Sequence, residues 1–109
     1  MNKLRRKNLI LAIGHIRDLP IFDEAGDATT FRYAIQAADA LVANSLDDER
    51  DYLNNMPESF QSGDKGMMAE SAIEHMEAAQ EHIWEIMDDH SKFDEHEEDI
   101  VFALEEAQG

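Results

Sequence analysis

Six carboxylates, Glu70, Glu74, Glu77, Glu81, Glu85 and Asp88, recur at intervals of three and four residues. In a helix that spacing lines them along one flank with neighbours about 5 to 6 Å apart. Like charges so placed destabilise a helix by a few tenths of a kcal/mol per pair, and between 66 and 108 the sole cation is Lys92. Nothing nearby in the sequence neutralises the row. A second concentration, Asp94, Glu95, Glu97, Glu98 and Asp99, continues the field along the chain. The chemistry on offer is electrostatic. An ordered line of anions can occupy a basic groove built for DNA or RNA, with attraction that quickens docking at low salt. The plainer reading is a charged face that keeps a small protein soluble. Trp84 stands beside the row, off the main apolar seam, and an aromatic in that position is an interface anchor. The residues expected to meet a partner are therefore Glu70, Glu74, Glu77, Glu81, Trp84, Glu85, Asp88, Asp94, Glu95, Glu98 and Asp99.

Metal and catalytic chemistry find less support. His75 and His82 are two helical turns apart, about 10 Å, and cannot share an ion within one helix. The residues three before the five histidines are Ala12, Ala72, Ala79, Met87 and Phe93, so the Glu-x-x-His pattern of di-iron bundles is absent. No metal site is expected: His75 and His82 read as seam-flanking residues, and His90 as a polar interruption of the core. There is no cysteine. Ser59, Ser62 and Ser91 fall in expected loops with no base fixed beside them. The carboxylates look uniformly exposed, without the two unlike environments that split an acid from a base. Gly63-Asp64-Lys65-Gly66 lacks the preceding strand of a phosphate loop. The expectation is a protein that is not an enzyme and carries no cofactor.

The elements that hold these residues must come from 109 residues, 25 of them acidic and 9 basic, with a net charge of −16. That is one domain, residues 1–109, and one too small to spare much surface for an enclosed cavity. Without cysteine there is no disulfide framework, and no apolar run reaches the roughly 18 residues of a membrane span. A soluble protein of a bacterial cytoplasm is expected. Residues 1–22 hold five cations against Asp18 alone, a local sum of +4, which leaves −20 for residues 23–109. Lys3, Arg5, Arg6 and Lys7 read as partners for the acidic helices, at modest energy per exposed pair, and direct nucleic-acid binding is disfavoured by the remaining field.

Leu4, Leu9, Ile13 and Ile16 predict a first helix over residues 3–18, ended by Pro20. Asp23 to Asp27 is rich in turn formers, and Thr29 or Thr30 can cap the next helix. That second helix runs from Phe31 to about Asn55, with Phe31, Ala34, Ala38, Leu41, Ser45, Tyr52 and Met56 near one stripe and only its first half well buried. Pro57 stops it, and a loop of about ten residues follows, in which Phe60 tucks back onto the core. Met56, Met67, Met68, Met76 and Met87 are either core or an adaptable binding patch.

Ala69, Ala72, Met76, Ala79, Ile83, Ile86, His90, Phe93, Glu97, Ile100, Leu104 and Ala107 alternate steps of three and four without a break. Ten of the twelve are apolar, so this seam must bury against another helix. Unbroken over 66–108 the helix would be roughly 65 Å long, against a radius of gyration of about 13 Å for a compact domain of this size. Polar residues at 88–92 mark a break or kink, with a further helix from about Asp94 to Ala107. The competing architecture is a continuous helix in a two-chain coiled coil. The fold class is all-α, a three- or four-helix bundle with a long C-terminal helical segment.

The stretch Asp48-Glu49-Arg50-Asp51-Tyr52-Leu53-Asn54-Asn55-Met56-Pro57-Glu58-Ser59-Phe60-Gln61, followed by Ala69-Glu70-Ser71-Ala72-Ile73-Glu74-His75-Met76-Glu77, resembles a segment of small helical proteins carried by bacteriophages and prophages. The likeness covers about 40 residues, centred on the Asn-Met-Pro-Glu-Ser-Phe-Gln run between two acidic helices. It implies an origin and a helix-loop-helix, and no activity or catalytic residue. Residues 18–40 and the acidic tail depart from that pattern. By size and charge the chain is also similar to phage counter-defence proteins.

These readings converge on an inhibitor that binds stoichiometrically, offering its acidic row to a basic nucleic-acid-binding host defence complex such as a CRISPR effector or a restriction enzyme. The alternative is an assembly module that self-associates, as a homodimer, through the heptad seam.

Overall fold

A computed structural model describes residues 3–17, 29–89 and 92–108, leaving aside the side chains of residues 29–31 and 94. The expected stop at Pro20, the turn at 23–27, the threonine cap, Phe31 and His90 lie outside the described residues. Among the described residues five helices follow one another: α1 Lys3–Arg17, α2 Thr29–Asn54, α3 Glu58–Gln61, α4 Asp64–Asp88 and α5 Phe93–Ala107. The described residues contain no strand, and the all-α expectation holds.

Packing runs in a closed ring, α1 on α2, α2 on α4, α4 on α5 and α5 back on α1. Cross-helix pairs fix the directions. Arg5 at the start of α1 meets Glu49 near the end of α2. Arg50 of α2 meets Glu77 of α4, while Asp39, earlier in α2, meets Trp84, later in α4. Arg6 donates to the carbonyl of Gln108, just past α5. Every neighbouring pair is antiparallel, which makes an up-down-up-down four-helix bundle with the single turn of α3 as an annex. The molecule measures 56 × 22 × 18 Å with a radius of gyration of 15.0 Å, longer than a compact sphere of its mass because α2 and α4 have 26 and 25 residues where α1 and α5 have 15 each.

The seam of 69–107 is the spine of the core. All ten of its apolar members are buried, from Ala69 to Ala107, with Met76, Ala79, Ile83, Ile86, Ile100 and Leu104 sealed completely. All but Ala69 join one core cluster with Leu9, Ala12 and Ile16 of α1 and Ile35, Ala38, Val42 and Leu46 of α2. The seam is thus covered within one chain, and a coiled coil through it would require the bundle to open. The long segment does break. α4 ends at Asp88, Asp89 is extended at φ −144° and ψ 103°, and α5 begins at Phe93. No Gly or Pro forces the break. Weak helix formers and acids at the negative end of the α4 dipole favour it, and the buried hairpin contacts between α4 and α5 complete it.

Three expectations need correction. In α1 the buried face is Arg5, Leu9, Ala12 and Ile16, while Leu4 is 60% exposed, because the core stripe passes one residue to the side of it. In α2 the stripe runs through Ile35, Ala38, Val42, Ser45 and Leu46 to Glu49, so its second half is buried too and Tyr52 lies at the margin. Phe60 is 64% exposed. It belongs to α3, which Pro57 starts with φ −56° and which packs on α4 away from the core cluster. The Phe60 and Gln61 amides donate to the Pro57 carbonyl, and the Gln61 side chain donates to the Met56 carbonyl, so the Asn-Met-Pro-Glu-Ser-Phe-Gln run closes on itself through hydrogen bonds and not through burial of Phe60 in the core.

At Gly66 the backbone of α4 comes up against the end of α3. A Cβ there would collide with the backbone of Gln61, so this buried position in the first turn of α4 admits no side chain.

Candidate functional site: the outer flank of α4

Because the seam fixes which side of α4 faces the core, the opposite side must face out. Glu70, Glu74, Glu77, Glu81, Glu85 and Asp88 are all exposed there. Helical periodicity keeps them on one flank from the second turn of α4 to its last, a span of about 27 Å at 1.5 Å per residue. The row is solvent-facing and regular, as the spacing predicts.

Two of its members are neutralised, contrary to expectation. Arg50 of α2 donates to Glu77 at 3.0 Å, and Lys92, just before α5, donates to Glu85 at 3.2 Å. Neither cation is close in sequence: Arg50 arrives by the antiparallel packing of α2 on α4, and Lys92 by the chain's reversal after Asp88. All four side chains stay about half exposed, so each pair contributes little to stability and remains exchangeable. The Lys92 ammonium holds its proton above its usual range, first through the hydrogen bond to Glu85, then through the charge of Glu85 and, more weakly, of Asp89 and Glu95. The end of the row is therefore a strongly anionic place.

Trp84 stands at that end, half exposed, its indole N–H donating to a carboxylate oxygen of Asp39 at 3.1 Å. Burial raises the Asp39 pKa above its usual 3.8, and the indole hydrogen bond partly offsets this. The hydrogen bond gives the ring a fixed edge. Glu81, Trp84, Glu85, Met87 and Asp88 line a shallow open groove of about 600 Å³. An aromatic wall with three carboxylates suits a guanidinium or ammonium group, which the ring face attracts and the carboxylates pair.

The α5 acids do not prolong the row. Since α5 runs back alongside α4, Glu98 turns toward α1, where Arg17 lies 3.7 Å away, and Glu105 follows at 4.0 Å. Asp99 faces α4 instead, Glu97 is half-buried, and Glu95 is exposed. The side chain of Asp94 lies outside the described residues. The acids of this stretch thus diverge, Glu98 toward α1 and Asp99 toward α4, and the site contracts to the α4 flank with Trp84.

Sequence reasoning missed two groupings. Asp39 and Arg50 join the site from α2, and only the helix register could have signalled them. The spacing argument on histidines holds for His75 and His82 but says nothing of a pair on different helices: His82 and His96 meet across the α4–α5 hairpin, Nδ1 to Nδ1 at 2.8 Å. The methionines divide as well. Met76 is sealed in the core, Met56 and Met87 are half-buried, and Met67 and Met68 are 61% and 53% exposed.

No described helix is long and apolar enough to cross a membrane. No family model matches the chain, and no curated protein or solved structure matches it either.

Proposed function

We propose that this protein acts by stoichiometric binding, offering the α4 flank to a basic, nucleic-acid-binding surface and competing there with DNA or RNA. The observation that carries the reading is the solvent-facing row from Glu70 to Asp88, held rigid by a seam sealed on the other side of the same helix. Its length of about 27 Å corresponds to about eight base pairs of duplex at 3.4 Å each. The groove at Trp84 adds a site for one cationic side chain at the end of the row. On the resemblance of residues 48–87 to phage-carried helical proteins, the partner we infer is a host defence complex, a CRISPR effector or a restriction enzyme, and the protein is a phage-type inhibitor of it. The partner's own Arg and Lys would displace the exchangeable pairs with Arg50 and Lys92.

The test is competition. A fluorescent duplex bound to such an effector should be released by the protein, with an affinity that falls steeply as salt rises. The quadruple variant Glu74→Gln, Glu77→Gln, Glu81→Gln and Glu85→Gln should lose that effect while keeping its helicity. Unchanged affinity of the quadruple variant in moderate salt would remove nucleic-acid mimicry.

A further inference from the structure

On the side of α4 that faces α5, three potential ligand atoms converge: one nitrogen each of His82 and His96 and a carboxylate oxygen of Asp99, all within 4.8 Å of one another. His96 and Asp99 are three residues apart and so share a face of α5, and His82 comes from α4. The two imidazoles are half-buried, their ring centroids 5.0 Å apart and planes inclined at 47°. Their Nδ1 atoms point at each other at 2.8 Å. That contact can be a hydrogen bond only if one nitrogen carries a proton and the other does not, so for both Nδ1 atoms to ligate an ion the shared proton must pass to the Nε2 of its own ring or to solvent.

A tetrahedral ion with bonds of about 2.0 to 2.1 Å sets its ligand atoms roughly 3.3 to 3.5 Å apart. The pair at 2.8 Å must part by about half an ångström, and the carboxylate, which lies within 4.8 Å of both nitrogens, must close in by at most about 1.4 Å. Side-chain rotations can supply both, with the two helices held by Ile83 and Ile86 on one side and Ile100 and Ala103 on the other. Two imidazoles and one carboxylate select a borderline first-row cation over magnesium or calcium, which prefer oxygen donors throughout. A strongly negative protein favours any cation, which makes the nitrogen ligands the discriminating feature.

We propose that His82, His96 and Asp99 bind one divalent transition-metal ion of the zinc class, with water completing its coordination, and that the ion clamps α4 to α5 close to the chain reversal. None of the three ligands belongs to the α4 row, so metal uptake and the capture of a basic partner are separable.

The experiment titrates the full chain with zinc chloride, and separately with magnesium chloride, following heat and melting temperature. Saturable uptake of one equivalent of Zn2+ with a rise of several degrees in Tm, absent with Mg2+, is expected. His82→Gln and His96→Gln should each weaken uptake at least tenfold and Asp99→Asn severalfold, while His75→Gln leaves it unchanged. Because a substitution at His82 can also disturb packing, nitrogen NMR of the unaltered protein gives a second reading. Zn2+ should move the Nδ1 resonances of His82 and His96 and spare that of His75. No uptake beyond the effect of Mg2+, or unmoved resonances for His82 and His96, would overturn the proposal.

Discussion

The Nε of Arg5 lies 2.6 Å from a carboxylate oxygen of Glu49, with the two side chains only 8% and 2% exposed. The guanidinium also sits 5.3 Å from the centre of the Tyr52 ring. This contact pins the start of α1 to the last turns of α2 and so sets the register of that pair of helices.

Removing one partner alone strands a buried charge. Arg5→Met and Glu49→Leu should each cost about 3 to 5 kcal/mol, and the double variant much less than their sum, since two apolar groups can fill the same space. Urea unfolding of the four proteins checks this. Additive losses would show that the pair is not coupled.

Gly66→Ala should destabilise by about 1 to 3 kcal/mol, an overpacking cost, because the added methyl must push the Gln61 backbone aside. Ala is the better helix former, so a simple propensity argument predicts the reverse sign. Gly14→Ala, where a Cβ meets nothing within 4 Å, is the control and should stabilise by up to about 1 kcal/mol. Thermal melts of the two variants decide between the accounts.

Asp39 should titrate above the usual aspartate range, since burial outweighs the Trp84 hydrogen bond. Its folded pKa is raised above the unfolded 3.8, so the stabilisation belongs to the protonated form. It is fully present below pH 3.8 and is lost as pH rises through the folded value. Trp84 is the only tryptophan, and its fluorescence reports the event directly. The titration step should vanish in Asp39→Asn.

The cations that cap the row offer a sign test of the binding reading. Arg50→Gln and Lys92→Gln each free one carboxylate of the α4 flank, so association with a basic partner should become faster, most of all at low salt. Slower association would mean that these cations belong to the interface.

Much of this architecture was legible in the amino-acid pattern, and where it was not the reason is physical. The seam from Ala69 to Ala107 could be read because long-range packing leaves a strict periodic trace on each strand of contact. α2 was harder. Its alanines supply apolar character on several faces, so Ala34 and Leu41 competed with Ile35 and Val42 for the core side. Burial of Glu49 was invisible because its partner is 44 residues away and a lone acid in an acidic run reads as solvated. The α4 flank could be anticipated from spacing, whereas the scattering of the α5 acids depended on the reversal between Asp88 and Phe93. His82 with His96, like Trp84 with Asp39, is a product of two helices in a particular register, and no local pattern records it.

The division of the methionine side chains has a chemical consequence. A mild peroxide should convert Met67 and Met68 to sulfoxides while the molecule stays folded, whereas the Met76 thioether can react only when the bundle has opened. Mass spectrometry of that one peptide would then count openings of the whole molecule, so the protein carries its own clock for unfolding.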